Sequence, residues 1–84
     1  MSPEELETLA VNQIPGVRDA LVTEENQTLA IALFVEGDTG EEALANARAS
    51  IAELNKTLPA YKRLMSVRLT AEPFATNATG KKIR

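Results

Sequence analysis

The chain closes on TNATGKKIR, residues 76–84, where small polar residues lead into one glycine and then three cations in four positions. A glycine lets backbone turn tightly or come close to a ligand. A lysine beside it can bring a point charge to a phosphate or a carboxylate. Gly80, Lys81 and Lys82 therefore carry the types and spacing for anion handling. The other reading of the same letters is a solvated basic tail.

The remaining residues narrow the chemistry further. The 84-residue chain has no cysteine and no histidine. Disulfides, thiol catalysis, imidazole-based nucleophile systems and Cys/His metal centres are thereby excluded. The carboxylate pairs Glu4/Glu5, Glu24/Glu25 and Glu41/Glu42 fall at helix starts or in a turn. There they favour the helix dipole or solvate, and no metal site is expected from them. The spacing of an EF-hand is missing, and no glycine precedes Gly80-Lys81 at the distance a phosphate-binding P-loop requires. Aromatics are few, with Phe34, Tyr61 and Phe74 alone, so base stacking on aromatic–basic stretches has no support.

The formal net charge of −3 hides an asymmetry. Residues 1–60 hold eleven acids against three bases, and residues 61–84 hold six bases against one acid, Glu72. A basic end on an acidic body suits an anionic ligand, or balances charge within the molecule. Hydrophobic residues make up 44% of the chain and charged residues 25%, the mix of a soluble globular domain. The longest strictly apolar run, from Leu29 to Val35, is too short to span a bilayer, and a cytoplasmic protein is the default expectation.

These residues must be positioned by a small number of elements. Ser2, Pro3 and Glu5 form a helix start of the capping-box type, Leu6, Leu9 and Ala10 share a face, and Pro15-Gly16 stops the helix. A hairpin follows, with a first strand near Ala20 to Thr23, a polar turn over Glu24 to Gln27, and a second strand from Thr28 to Val35. Both faces of that second strand are apolar, which suits a strand packed on both sides. Thr39 and Glu42 suggest a second capping box, and Leu44, Ala47, Ile51, Leu54 and Leu58 make an apolar stripe that Pro59 ends. Leu58, Pro59 and Tyr61 read as a helix exit and packing corner. A third strand is expected near Ser66 to Thr70, with Val67 and Leu69 inward and Arg68 outward, and Glu72-Pro73 leaves the sheet. The expectation is one α+β domain over 1–84. It has a small, mostly antiparallel three-stranded sheet packed by two helices, and a terminal loop of catalytic type.

Five stretches in order resemble the small C-terminal domain of AMP-forming acyl-CoA ligases, within the adenylate-forming enzymes. They are SPEELE, IPGVRDALV, LAIALFVEG, LPAYKRL and EPFATNATGKKIR, and they cover nearly the whole chain. EPF and the Tyr61-Lys62 pair look most like long-chain fatty-acid–CoA ligases. Such domains close on a Gly-Lys run whose lysine is catalytic. Carried over, Gly80 takes the family's glycine, Lys81 its lysine and Arg84 its later arginine, with Thr79 and Gly80 forming the nucleotide-side loop. Lys82 stands where the family usually has an apolar residue, which leaves Lys81 and Lys82 as alternatives; counting from Phe74 favours Lys81.

The resemblance also implies a partner. A large N-terminal domain, holding ATP with Mg2+ and the acyl substrate, would lie outside this chain, and the 84 residues alone would fold without turning over. A carboxylate attacks the α-phosphate of ATP, the small domain rotates, and CoA thiol attacks the acyl-adenylate. Lys62, Arg63 and Arg68 are candidates for CoA-phosphate contacts, against an ordinary solvated surface role. Two rival classes fit the composition: a non-catalytic binding module with an anion-docking tail, and a weak nucleic-acid binder using the basic end.

Overall fold

The computed structural model describes residues 2–84. Helix α1 spans Pro3–Gln13, strands β1 and β2 span Val17–Glu25 and Thr28–Val35, helix α2 spans Glu41–Asn55, and strand β3 spans Leu64–Thr70. A single 3-10 turn, Ala60–Lys62, lies between α2 and β3. Helix α1 begins as its sequence dictates: Ser2 Oγ accepts the Glu5 N–H and Pro3 opens the helix. The start of α2 differs from expectation. Gly40, not Thr39, is the cap residue, and no side chain accepts the free N–H groups of the first turn. The carboxylate of Asp38 accepts the Gly40 N–H, closing an Asx-type turn just ahead of the helix.

The sheet runs β1-β2-β3, with β1 and β2 antiparallel and β2 and β3 parallel. The mixed sheet follows from the connections. Two residues, Asn26 and Gln27, join β1 to β2, both at positive φ, as a tight hairpin turn demands. The strands therefore extend further into the expected polar turn than their apolar residues suggested. The link from β2 to β3 contains α2, and a helical crossover returns the chain parallel. Both helices pack on one face of the sheet. Leu6 and Ala10 of α1, Ile14 just beyond it, and Ala47, Ile51 and Leu54 of α2 meet Ala20, Val22, Ile31, Leu33 and Leu64, with Leu58 sealing the end. Leu21, Ala30 and Ala32 are buried on the opposite face, so the central strand is apolar on both sides as its sequence indicates.

Two details steer the site. Strand β1 carries an extra residue between Val17 and Asp19, a bulge that re-aims the strand just ahead of Asp19. At the other end, the Asn55 side-chain amide pairs with both the N–H and the C=O of Leu64, fastening the end of α2 to the start of β3. Tyr61 does not pack into this corner; it is 79% exposed. Among the described residues, no helix is long and apolar enough to cross a membrane.

Candidate functional site

The C-terminal segment is not a frayed tail. Residues 75–83 fold back on themselves as a miniature hairpin. Ile83 N–H donates to the Ala75 carbonyl, Asn77 N–H to the Lys81 carbonyl at 2.7 Å, and Gly80 N–H to the Asn77 carbonyl at 3.0 Å. Thr76 and Lys82 pair across it in antiparallel fashion. Gly80 sits at φ +83°, in the left-handed region that a β-carbon penalises. This is the three-residue hairpin loop with a glycine bulge. Asn77 organises its tip: one side-chain oxygen accepts from Thr79 N–H, Thr79 Oγ1 and Lys81 N–H at 3.0, 2.8 and 3.0 Å. Thr79 thus braces the turn and Gly80 makes it.

Alternation along the returning arm separates the two lysines. In extended backbone, neighbours point to opposite sides. Lys82 and Arg84 turn toward β1, while Lys81 and Ile83 turn away and Ile83 is 54% exposed. The target of the inward pair is the free edge of β1. Ala20 and Val22 present their N–H and C=O groups outward there, and all four have side-chain partners. Asp19 Oδ1 accepts the Ala20 N–H at 2.8 Å, and Lys82 Nζ donates to the Ala20 carbonyl. Glu7 Oε2 accepts the Val22 N–H at 2.7 Å, and Arg84 donates to the Val22 carbonyl at 2.8 Å. An edge strand normally invites pairing with another chain, and here side chains occupy it instead.

Glu7 is the hub. It is the buried charged residue of the core side, 4% exposed, and sits on α1 beside the apolar stripe. Its carboxylate receives the Arg84 guanidinium at both oxygens and the Lys82 ammonium at 3.2 Å. Lys82 also reaches Asp19 at 2.8 Å and lies 5.9 Å from the centre of the Phe74 ring. Two carboxylates and two cations thus balance. Burial alone would raise the Glu7 pKa; the hydrogen bonds from Arg84 and Val22 N–H and the charge of Lys82 outweigh it and hold the carboxyl below its ordinary range. The same bond to Glu7 raises the pKa of Arg84.

Lys81 is different. Its ammonium has no hydrogen-bond or ion-pair partner among the described residues. It borders an open hollow of about 450 Å³ lined also by Thr76, Asn77, Gly80, Lys82, Arg84 and the acids Glu4 and Asp19. A cation held on a braced turn and engaged in no ion pair can meet an incoming anion at little cost in reorganisation. The other candidates lie elsewhere. Arg63 Nε donates to the Asn55 and Leu58 carbonyls at 3.2 and 3.3 Å, laying the side chain against the end of α2. Lys62 stands 5.5 Å from the centre of the Tyr61 ring, and Arg68 is exposed on β3. No group of three or more acids among the described residues could hold a metal ion.

The residues that sequence reasoning missed are Glu7 and Asp19. The signal for Glu7 was present: it is an acid directly beside Leu6 and three residues before Ala10 on the buried side of α1. Nothing local marked Asp19, because its role depends on the bulge and on a lysine 63 residues away.

No family model matches the chain, and no curated relative does. Among solved structures, the unliganded o-succinylbenzoate coenzyme A synthetase (MenE) of Bacillus subtilis has the same fold, with a TM-score of 0.66 and 19% identity over 100% of this chain. A doubly substituted form of that enzyme, bound with a product analogue, matches with a TM-score of 0.62 and 20% identity, again over 100% of this chain. The chain spans 16% and 17% of the lengths of those two proteins. At this level of identity the likeness establishes a shared fold.

Proposed function

We propose that this chain is the small, lysine-bearing domain of an ATP-dependent, AMP-forming acyl-CoA ligase. One observation carries the reading: Lys81 makes no ion pair and is presented on a hairpin that is itself anchored to the sheet. The fold it shares, over its full length, with part of an acyl-CoA synthetase supports the same reading. The terminal cations divide the labour. Lys82 and Arg84 fasten the hairpin; Lys81 serves the reaction.

In adenylation, a carboxylate oxygen of the acid attacks the α-phosphorus of ATP. The acyl–phosphate bond forms, the α–β phosphoanhydride bond breaks, and pyrophosphate leaves. The Lys81 ammonium would lie between carboxylate and phosphate, orienting the nucleophile and offsetting charge that grows on the phosphoryl oxygens. Lewis-acid assistance would come from Mg2+ bound to ATP; no acid cluster on the described residues competes for that role. The larger domain would supply the ATP and acyl pockets. Rotation of this small one would withdraw Lys81 before CoA thiol attacks the adenylate. Within this class we take the acid to be fatty-acyl, on the EPF and Tyr61-Lys62 resemblance, and place Lys62, Arg63 and Arg68 on the CoA side. A panel of acids that includes o-succinylbenzoate would decide the specificity.

A nucleic-acid reading loses its footing here. The basic end is not a continuous field, because Glu7 and Asp19 neutralise Lys82 and Arg84, and Arg63 lies along a helix end. The deciding experiment is carried out in the complete ligase. Lys81→Ala should slow pyrophosphate exchange a few hundredfold, the loss of about 3–4 kcal/mol expected for one preorganised contact. Thioester formation from pre-made acyl-adenylate should be spared. Equal loss in both half-reactions would contradict the assignment of Lys81.

A further inference from the structure

We propose that Glu7 is a positioning residue for Lys81, acting through Lys82 and Arg84; this rests on the ligase reading above. The hairpin itself has few anchors. Its internal hydrogen bonds set the shape of the turn but not its direction relative to the sheet. Direction comes from the two inward side chains, and both converge on one buried carboxylate. Glu7 also accepts from the Val22 N–H, so helix α1, the edge of β1 and the returning arm share a single hub. Arg84 and Lys82 flank Ile83 and leave Lys81 facing outward, so fixing their heads fixes the side from which Lys81 emerges.

The design has a physical logic. A catalytic ammonium must be placed without giving it a partner, since a partner would compete with substrate. Anchoring the next cation along the strand does this: Lys82 takes Glu7 and Asp19, and Lys81 makes no ion pair of its own. Asp19 is a secondary holder, because its side chain is 42% exposed and of the two cations it meets Lys82 alone. Phe74 adds a wall beside the Lys82 head.

The test uses Glu7→Gln, which keeps an acceptor for Val22 N–H and removes the charge, with Glu7→Asp as the conservative partner. In this chain, amide exchange at Asn77 and Ile83 should accelerate at least about tenfold in Glu7→Gln, while core amides of α2 such as Leu54 change far less. In the complete ligase, the kcat for adenylation should fall by about ten- to a hundredfold, as misplacement of a reacting group does. The KM for ATP and the thioester half-reaction should hold, and Glu7→Asp should recover part of the loss. A uniform loss of protection across hairpin and core would reduce Glu7 to a stability residue and overturn the proposal. So would a loosened hairpin with unchanged adenylation. If Lys81→Ala leaves adenylation intact while Glu7→Gln loosens the hairpin, the ligase reading fails and the anchoring stands, so the two failures are told apart.

Discussion

The opposite roles proposed for the adjacent lysines give a sharp test in Lys81→Ala and Lys82→Ala measured side by side. Lys82 donates to the Ala20 carbonyl, meets Asp19 at 2.8 Å and Glu7 at 3.2 Å, and its side chain is 21% exposed. Truncation removes all three contacts. A hydrogen bond to a charged group contributes about 1.5–3 kcal/mol. The Asp19 pair adds little, because its carboxylate is 42% exposed and screened. Glu7 is not stranded, since Arg84 and the Val22 N–H remain to it. The net loss is therefore about 2 kcal/mol. For a domain of this size each kcal/mol lowers Tm by about 4–8 °C, which places the Lys82→Ala shift at about 8–16 °C. Lys81→Ala removes a solvated head and should stay within about 0.5 kcal/mol of the parent. Thermal unfolding by circular dichroism on the two variants reads both numbers. An equal or larger shift for Lys81→Ala would mean that the returning arm is one residue out of register, and the assignment of roles would collapse.

Acid should act through the same hub. The Glu7 carboxyl faces Arg84, Lys82 and the Val22 N–H, with Asp19 beyond Lys82 and Glu4 near Arg84. Its pKa is lower in the folded chain than its ordinary value, so the unfolded chain binds the proton first. The stabilisation is complete above the ordinary carboxylate range and is lost as pH falls through the lowered folded value. The Tm gap between the parent and Glu7→Gln should narrow as pH falls through and below the ordinary carboxylate range; a constant gap would contradict the role given to this charge. Gly80→Ala meets no atom within 4 Å but must hold φ +83°. That strain is about 1–2 kcal/mol, which should raise amide exchange at Ile83 by about 5- to 30-fold. Gly80→Asn should recover part of the protection, and unchanged exchange in Gly80→Ala would argue against the glycine-bulge turn.

Much of the fold is written locally. Ser2 and Pro3 start α1, Pro15-Gly16 stops it, and the apolar stripe of α2 and the alternation along β2 need no distant information. The parallel return of β3 follows from the helix between it and β2. The helix start at Gly40 was less legible, because an Asx-type turn from Asp38 to the Gly40 N–H puts the cap one residue beyond Thr39. Tyr61 reads as a packing residue by type, and only the 3-10 turn before β3 swings it outward.

For the site, the amino-acid order marks a glycine followed by adjacent lysines and leaves Lys81 and Lys82 as alternatives; the hairpin that turns them to opposite sides appears only in the fold. The order does not say which side is inward. That choice belongs to the tertiary structure, because the partners lie 62 to 77 residues away along the chain. The free N–H and C=O groups of a strand edge need partners, and a buried carboxylate on α1 needs cations. Lys82 and Arg84 meet both needs at once, and Lys81 is what that solution leaves exposed.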